Sequence, residues 1–344
     1  MILPELISNE EQLDEVLGTP SPQLTEMMRR LDGDIMILGI GGKMGASLGA
    51  VAINAIKAAG VSKKVIGVAR FSDPDTRKKL NQLGIETISC DLLDRQAVAE
   101  LPRIKNIIFM VGRKFGTDGN EELTWAINTL VPHIVAEHFT ASRIVVFSTG
   151  NVYPLVPVTS GGCSETDSTN PLGEYAQSCL GRERIFGHFS KLYGTPLCLY
   201  RLNYAIDLRY GVLYDIGRKI WEEKPVDLSV SHFNAIWQGD ACNQALLCLE
   251  YCTSPANVFN ITGPESIPVR YAADIMAQIM GKKVTYSGND GSYALLANSA
   301  KSAKHFGYPT VSLQQMLTWT AHWLMLGGRG LNKPTHFDTN NGRF

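Results

Sequence analysis

The sequence has no surplus of either charge: 32 Lys plus Arg stand against 33 Asp plus Glu, a formal net charge of −1. Without a basic field, neither nucleic acid nor an anionic membrane is expected as a partner. It also lacks any uninterrupted apolar run near the ~18 residues that a membrane span needs. Its start, MILPELISNEEQLDE, is acidic where a secretory leader is cationic and then apolar, so a cytoplasmic protein is expected. Seven cysteines, an odd number with no Cys-x-x-Cys pair, give neither a disulfide framework nor a zinc knuckle. Cys248 and Cys252 are four apart on an expected helix and read as buried free thiols. His133 and His138 are five apart and would leave a helix in different directions, so no metal site is expected.

What is present is a chain of 344 residues, 44% hydrophobic, long enough for a substantial core and about two domains. Short apolar or β-branched runs recur: GDIMILGI, KKVIGVARF, IETISCD, IKNIIFMVG, SRIVVFSTG and PLCLYRLNY. Helical patterns separate them near residues 43–59, 74–82, 94–101, 120–138 and 173–192. Almost wholly apolar strands alternating with helices predict a doubly wound α/β fold, a parallel sheet covered on both faces. Pro132 lies inside the 120–138 pattern and is expected to bend it. The organisation expected is a helical arm over 1–32, a dinucleotide-binding domain over 33–205, a smaller mixed substrate-binding region over 206–326, and a Gly- and Asn-rich tail over 327–344 whose role the sequence does not give.

LGIGGKMG follows the first apolar run and opens the first long helix, the context in which a glycine loop cradles a dinucleotide. Gly39, Gly42 and Gly45 satisfy GxxGxxG, with Lys43 and Met44 between the second and third glycines. One glycine makes the tight turn, one lets the backbone approach a pyrophosphate, and one permits close helix packing, with the phosphates at the helix amino end. The second run ends in Ala69 and Arg70, with no carboxylate to accept the adenosine ribose hydroxyls. NADP is therefore expected over NAD, with Arg70 and Lys43 as candidate partners for the 2′-phosphate.

Several stretches resemble, from residue 34 to about 325, the extended short-chain dehydrogenase/reductase family, the NAD(P)-dependent epimerase/dehydratase group. Besides GIGGKMG they are ISCDLLD, IIFMVGRK, AINTLV, VVFSTGNVY, NPLGEYAQS, YRLNYA and VFNITGPESIPVRYAADIMAQIMGKKV. The resemblance implies a Rossmann-type sheet with Asp91 and Leu92 at the adenine. It implies Met110, Val111, Gly112 and Lys114 along the cofactor, Asn128 at the family's helix asparagine, and Leu202 and Asn203 near the nicotinamide. It implies Thr149 and Tyr175 as the catalytic pair, and a homodimer through the helices over 120–138 and 173–192, where Leu123, Ile127, Leu130, Ile134 and His138 form a stripe.

The family's active site is Tyr-x-x-x-Lys, in which the lysine lowers the tyrosine pKa; this chain has Cys179 at the lysine position. A phenol with a pKa of ~10 is mostly the wrong species for a base at neutral pH. Three readings stay open: another cation such as Lys114 or the cofactor's own charge biases Tyr175, Tyr175 acts only as a proton donor, or hydride transfer is lost. Arg182 is seven residues from Tyr175, and two helical turns, ~10 Å, argue against direct substitution. Arg184 points elsewhere.

Family dehydratases carry an Asp-Glu pair after the active-site threonine; Gly150 and Asn151 stand there, so elimination is disfavoured. Where nucleotide-sugar members place an arginine, this chain has Ser231 and His232, though Asp240 is retained. A free sugar or sugar acid is therefore as open as a nucleotide sugar. Two functions follow: an NAD(P)-dependent oxidoreductase or epimerase on a carbohydrate-like hydroxyl or carbonyl, or a dinucleotide-binding sensor with little turnover.

Overall fold

The computed structural model describes residues 3–114, 116–331, 335, 337, 338 and 342. The apolar runs pair into one sheet of seven strands: β1 (Ile35–Leu38), β2 (Val65–Ala69), β3 (Glu86–Ser89), β4 (Asn106–Phe109), β5 (Arg143–Thr149), β6 (Leu197–Leu202) and β7 (Asn257–Ile261). Every pairing is parallel. The spatial order β7-β6-β5-β4-β1-β2-β3 reverses its winding between β1 and β4, which opens a crevice at the carboxyl ends of those strands.

The helices are α1 (Glu10–Leu17), α2 (Pro22–Arg30), α3 (Gly45–Ala59), α4 (Pro74–Gln82), α5 (Arg95–Ala99), α6 (Glu121–Trp125), α7 (Val131–His138), α8 (Gly173–Tyr193), α9 (Val212–Trp221), α10 (Gln238–Leu247), α11 (Val269–Met280), α12 (Ala300–Phe306) and α13 (Leu313–Met325). Alternate side chains of one strand feed opposite layers. Ile35 and Ile37 of β1 pack with α2, α3 and α10 through Met28, Leu48, Val51 and Ala245. Met36 and Leu38 pack with Val135 of α7 and Phe186 of α8. A third core unites α9, α11 and α13, where the Trp237 and Trp319 rings meet edge to face at 5.2 Å.

Three features differ from the sequence reading. NVFNIT, placed in the smaller region, returns to the main sheet as β7. The amino-terminal arm is not a separate appendage: Leu24, Met27 and Met28 enter the α3 core, while Leu13 and Leu17 enter the α9 core. The single helix expected over 120–138 is divided by a π-helical turn, Ala126–Leu130, in which Val131 N–H donates to the Ala126 carbonyl. Pro132 accounts for it. It has no N–H for the Asn128 carbonyl and its ring would press on that oxygen, and a widened turn relieves the clash.

The strand-to-helix turn is fixed by contact. A Cβ on Gly45 would lie 1.7 Å from the Ile40 carbonyl oxygen and 2.5 Å from its carbon. Backbone on both sides cannot yield, so Gly45→Ala is expected to destabilise the chain by about 3 kcal/mol. The check is a lowered denaturant midpoint at unchanged slope.

Candidate active site

Gly39 leaves β1 at φ +89, and a Cβ there would be 2.8 Å from Val111 Cγ2. Only glycine fits that turn. Gly42 differs, because a Cβ on it meets nothing nearer than the Gly39 carbonyl oxygen at 3.4 Å. Met44 precedes α3 without any side-chain cap; the Gly45 N–H donates to the Gly42 carbonyl at 3.0 Å, and no side chain occupies the amides of the rest of that first turn. Gly42, whose N–H donates to the Gly39 carbonyl at 3.1 Å, thus leaves open space beside the turn, while Gly39 and Gly45 hold the turn in place.

Two adjoining cavities occupy the carboxyl edge of the sheet and share Met110, Gly112 and Lys114. The outer, about 450 Å³, is lined by Gly39, Gly42, Arg70, Asp91, Leu92 and Val111. The inner, about 280 Å³, is lined by Lys43, Met44, Thr149, Tyr175, Leu202 and Asn203. Fifteen of the expected site residues thus converge on one continuous groove across the strand ends. Lys43 stacks 3.5 Å above the Tyr210 ring in the inner cavity, away from Arg70 in the outer one. Gly45 and Asn128 line neither: Gly45 lies under Ile40, and Asn128 is fully buried. The Asn128 amide accepts from Arg113 N–H at 2.9 Å and donates to the Arg113 carbonyl at 3.0 Å, which fixes the loop after β4.

Tyr175 hydrogen-bonds to Thr149 and to the Cys179 thiol; burial drives the phenol well above its ordinary pKa, and the Arg182 charge opposes that rise. Cys179 is completely buried in an apolar patch with Val152, Tyr153 and Cys163. Burial raises its pKa too, so the thiol packs as a small hydrophobe and is not a nucleophile. The Lys114 ammonium lies 5.7 Å from the Tyr175 ring centre, and burial lowers its pKa to about 8. Asn203 is buried with both amide atoms unpartnered, in the inner wall beside Tyr204, whose backbone sits at φ +23. A Cβ on Gly150 would lie 1.7 Å from Asn203 Oδ1. A larger residue at position 150 would require the Asn203 amide to swing away.

Arg182 corrects the sequence reading. It lines the inner cavity with Tyr175 and Thr149, and its guanidinium donates to the Phe147 carbonyl at 2.8 Å and to Asn128 Oδ1 at 2.6 Å. Counting axial rise between Cα atoms missed that helical side chains lean toward the amino end, so a long one covers the turns before it. Thr335 was also missed. It closes the inner cavity, donating from N–H and hydroxyl to Asp215 Oδ2 at 2.7 and 2.6 Å. Nothing in the sequence connects residues so far apart, so this role of the tail had no local signal. Arg184 is exposed, 3.4 Å from Thr169 Oγ1. His232 bonds Ser231 Oγ through Nδ1 outside both cavities, and Asp240 caps the Thr310 and Val311 amides at 3.0 and 3.1 Å. The seven thiols are free, and among the described residues no cluster could hold a metal and no helix is long and apolar enough to cross a membrane.

No protein-family model and no curated protein matches the sequence. Solved structures do match in shape. One is a Tyr-to-Phe mutant of UDP-glucuronic acid 4-epimerase from Bacillus cereus in complex with NAD and a fluorinated UDP-glucuronic acid, at a TM-score of 0.69 and 18% identity, covering 85% of this chain and 99% of that one. Another is UDP-glucose 4-epimerase from Thermotoga maritima with UDP-glucose, at 0.69 and 17%, covering 85% and 98%. A third is an epimerase from Methanothermobacter thermautotrophicus, at 0.71 and 18%, covering 89% and 96%. The sheet order, the glycine turn and these superpositions agree: the chain has a Rossmann-type α/β fold that it shares with these epimerases.

Proposed function

We propose that the chain is a nicotinamide-dinucleotide-dependent oxidoreductase or epimerase acting on a hydroxyl or carbonyl of a sugar, sugar acid or nucleotide sugar. The observation that carries this reading is the hydrogen-bonded pair of Thr149 and Tyr175 at the inner end of a groove that starts at the uncapped turn of α3. The residues present fit a dinucleotide: Gly42 lines the outer cavity where a Cβ would stand in open space, and the Asn203 amide is buried without a partner in the inner wall. Gly42 and the α3 amides would hold its phosphates, Asp91 and Leu92 its adenine, and Leu202 and Asn203 the nicotinamide end. Bound there, the cofactor would supply hydride transfer.

The chain's own groups supply the proton. The Thr149 hydroxyl, donating to Asn151 Oδ1 at 3.1 Å, stands beside that of Tyr175, where both would reach one reacting oxygen, and the raised pKa of Tyr175 keeps its proton in place at neutral pH. Donation from Tyr175 Oη to a developing alkoxide is therefore the favoured direction. Thr335, 2% exposed, lines this end and covers it from water. A second reading, binding with little turnover, is favoured by the neutral Cys179 thiol where the family has a cation. A panel of sugars, sugar acids and nucleotide sugars followed by nicotinamide absorbance separates the two: turnover supports the enzyme, while tight binding with none before Cys179→Lys supports the sensor.

The exposed Leu123 and Leu130 side chains support a homodimer through α6 to α8, although Ile134 is buried in the core and Ile127 lines the outer cavity. A monomer by light scattering at micromolar concentration contradicts that part.

Three further outcomes are expected. Gly42→Ala places a methyl where the pyrophosphate approaches, so calorimetry is expected to show at least about tenfold weaker dinucleotide binding with stability within about 0.5 kcal/mol of the parent. Arg70 is exposed on the outer rim and is the candidate for a 2′-phosphate. NADP is expected to bind about tenfold tighter than NAD, with Arg70→Ala removing the difference; equal or tighter NAD binding would refute the preference. Lys114, with a pKa of about 8, is charged below that pH and neutral above it. Affinity for the anionic dinucleotide is expected to fall through an inflection near pH 8 that Lys114→Met abolishes.

A further inference from the structure

We propose that Arg182 is the positioning residue that supplies positive charge beneath Tyr175, reaching back two turns along α8 through a notch left open by Gly112. The inference deepens the reading of Tyr175 as the proton-transfer group and rests on it. The notch is specific, because a Cβ on residue 112 would stand 2.6 Å from Arg182 Nη2. Any side chain larger than hydrogen there would collide with the guanidinium. The Phe147 carbonyl that receives Arg182 Nη1 lies on β5 two residues before Thr149, so the cation is tied to the strand that presents the other catalytic hydroxyl.

Arg182 also carries its charge without neutralisation. It is 5% exposed, yet among the described residues no carboxylate pairs with it, and Nε has no partner. The next residue, Glu183, is committed to Arg201 at 2.7 Å and to Ser148 Oγ at 2.6 Å. A buried guanidinium held by two neutral oxygens and set 5.9 Å from the Phe109 ring centre, with no carboxylate to cancel it, is costly to keep and leaves its charge available to a nearby phenol. Tyr175 faces Cys179 and Arg182 from its own helix and Lys114 from the loop after β4, with Lys43 and Tyr210 elsewhere on the cavity wall. Of the cations, Lys114 loses its proton near pH 8, whereas an arginine stays charged. The influence of Arg182 on both the phenol and the Cys179 thiol agrees with the placement.

The test replaces Tyr175 in the full chain with difluorotyrosine, whose phenol ionises well below that of tyrosine, and follows its titration by fluorine NMR without cofactor or substrate. Arg182→Met is expected to raise the midpoint by about one unit. Arg182→Lys should raise it less, and adding Cys179→Lys to Arg182→Met should bring it back down. If Arg182→Met does not fold, Gly112→Ala must raise the midpoint by displacing the guanidinium. A midpoint unmoved in these variants, or raised equally by Lys114→Met, would overturn the proposal. The readout needs neither dinucleotide nor turnover, so its failure leaves the proposed function standing, and a failure to bind cofactor leaves this result unaffected.

Discussion

Helix α8 presses two adjacent, oppositely charged side chains, Arg182 and Glu183, into the interior at the carboxyl ends of the sheet, and the geometry of the groove follows from how each is satisfied. Glu183 accepts from Ser148 of β5 and from both Nε and Nη2 of Arg201 on β6. Arg201 donates to the Tyr153 hydroxyl, which donates to Asn260 of β7. Helix and three strands are thereby locked in register. Removing one partner of such a buried pair costs about 3–5 kcal/mol, because the other is left charged and dry. Arg182 extends the lock the other way, through Asn128 in the π-helical turn to the Arg113 backbone. Tyr175, Thr149 and the Met110–Lys114 loop are held by one connected network, the support that the proposed proton transfer would need.

The carboxyl-terminal tail adds closure to this frame. Thr335 is fastened to Asp215 at the start of α9, Asp338 pairs with Lys219 at 3.1 Å, and Phe337 is buried in the α9 core. Gly173, at φ +82, opens α8 where a Cβ would lie 2.2 Å from the Gly342 carbonyl oxygen, so the tail packs directly on the start of the helix that carries Tyr175. The groove remains open along the β2 side, where Arg70 is exposed, and is covered at the tyrosine end.

How much of this the sequence could show depended on the range of each interaction. Strand and helix alternation is local, so the doubly wound sheet could be read from apolar runs, and the glycine turn from spacing. Thr149 and Tyr175, expected as a pair from motifs that lie in short segments, do stand side by side in the inner cavity. Asn128 was placed on the correct helix, but its contribution is to anchor Arg113, a distinction only packing reveals. Pro132 announced a bend without saying that a π turn would absorb it. The two misses are of different kinds. Arg182 was within reach of a physical rule, since a side chain leaning toward the helix start can cover two turns. Thr335 was not, because its partner lies 120 positions away. β7 was recognised as extended, yet its membership of the main sheet depends on pairing with β6.

The central claim is that this groove holds a nicotinamide dinucleotide with its reactive ring beside Tyr175. Titrating the unmodified chain into reduced nicotinamide dinucleotide, with and without the 2′-phosphate, and recording nicotinamide fluorescence tests it most directly. A saturable, blue-shifted enhancement for at least one of the two is expected, because the ring would leave water for the covered inner cavity. No saturable change with either would contradict the account and leave the fold without this function.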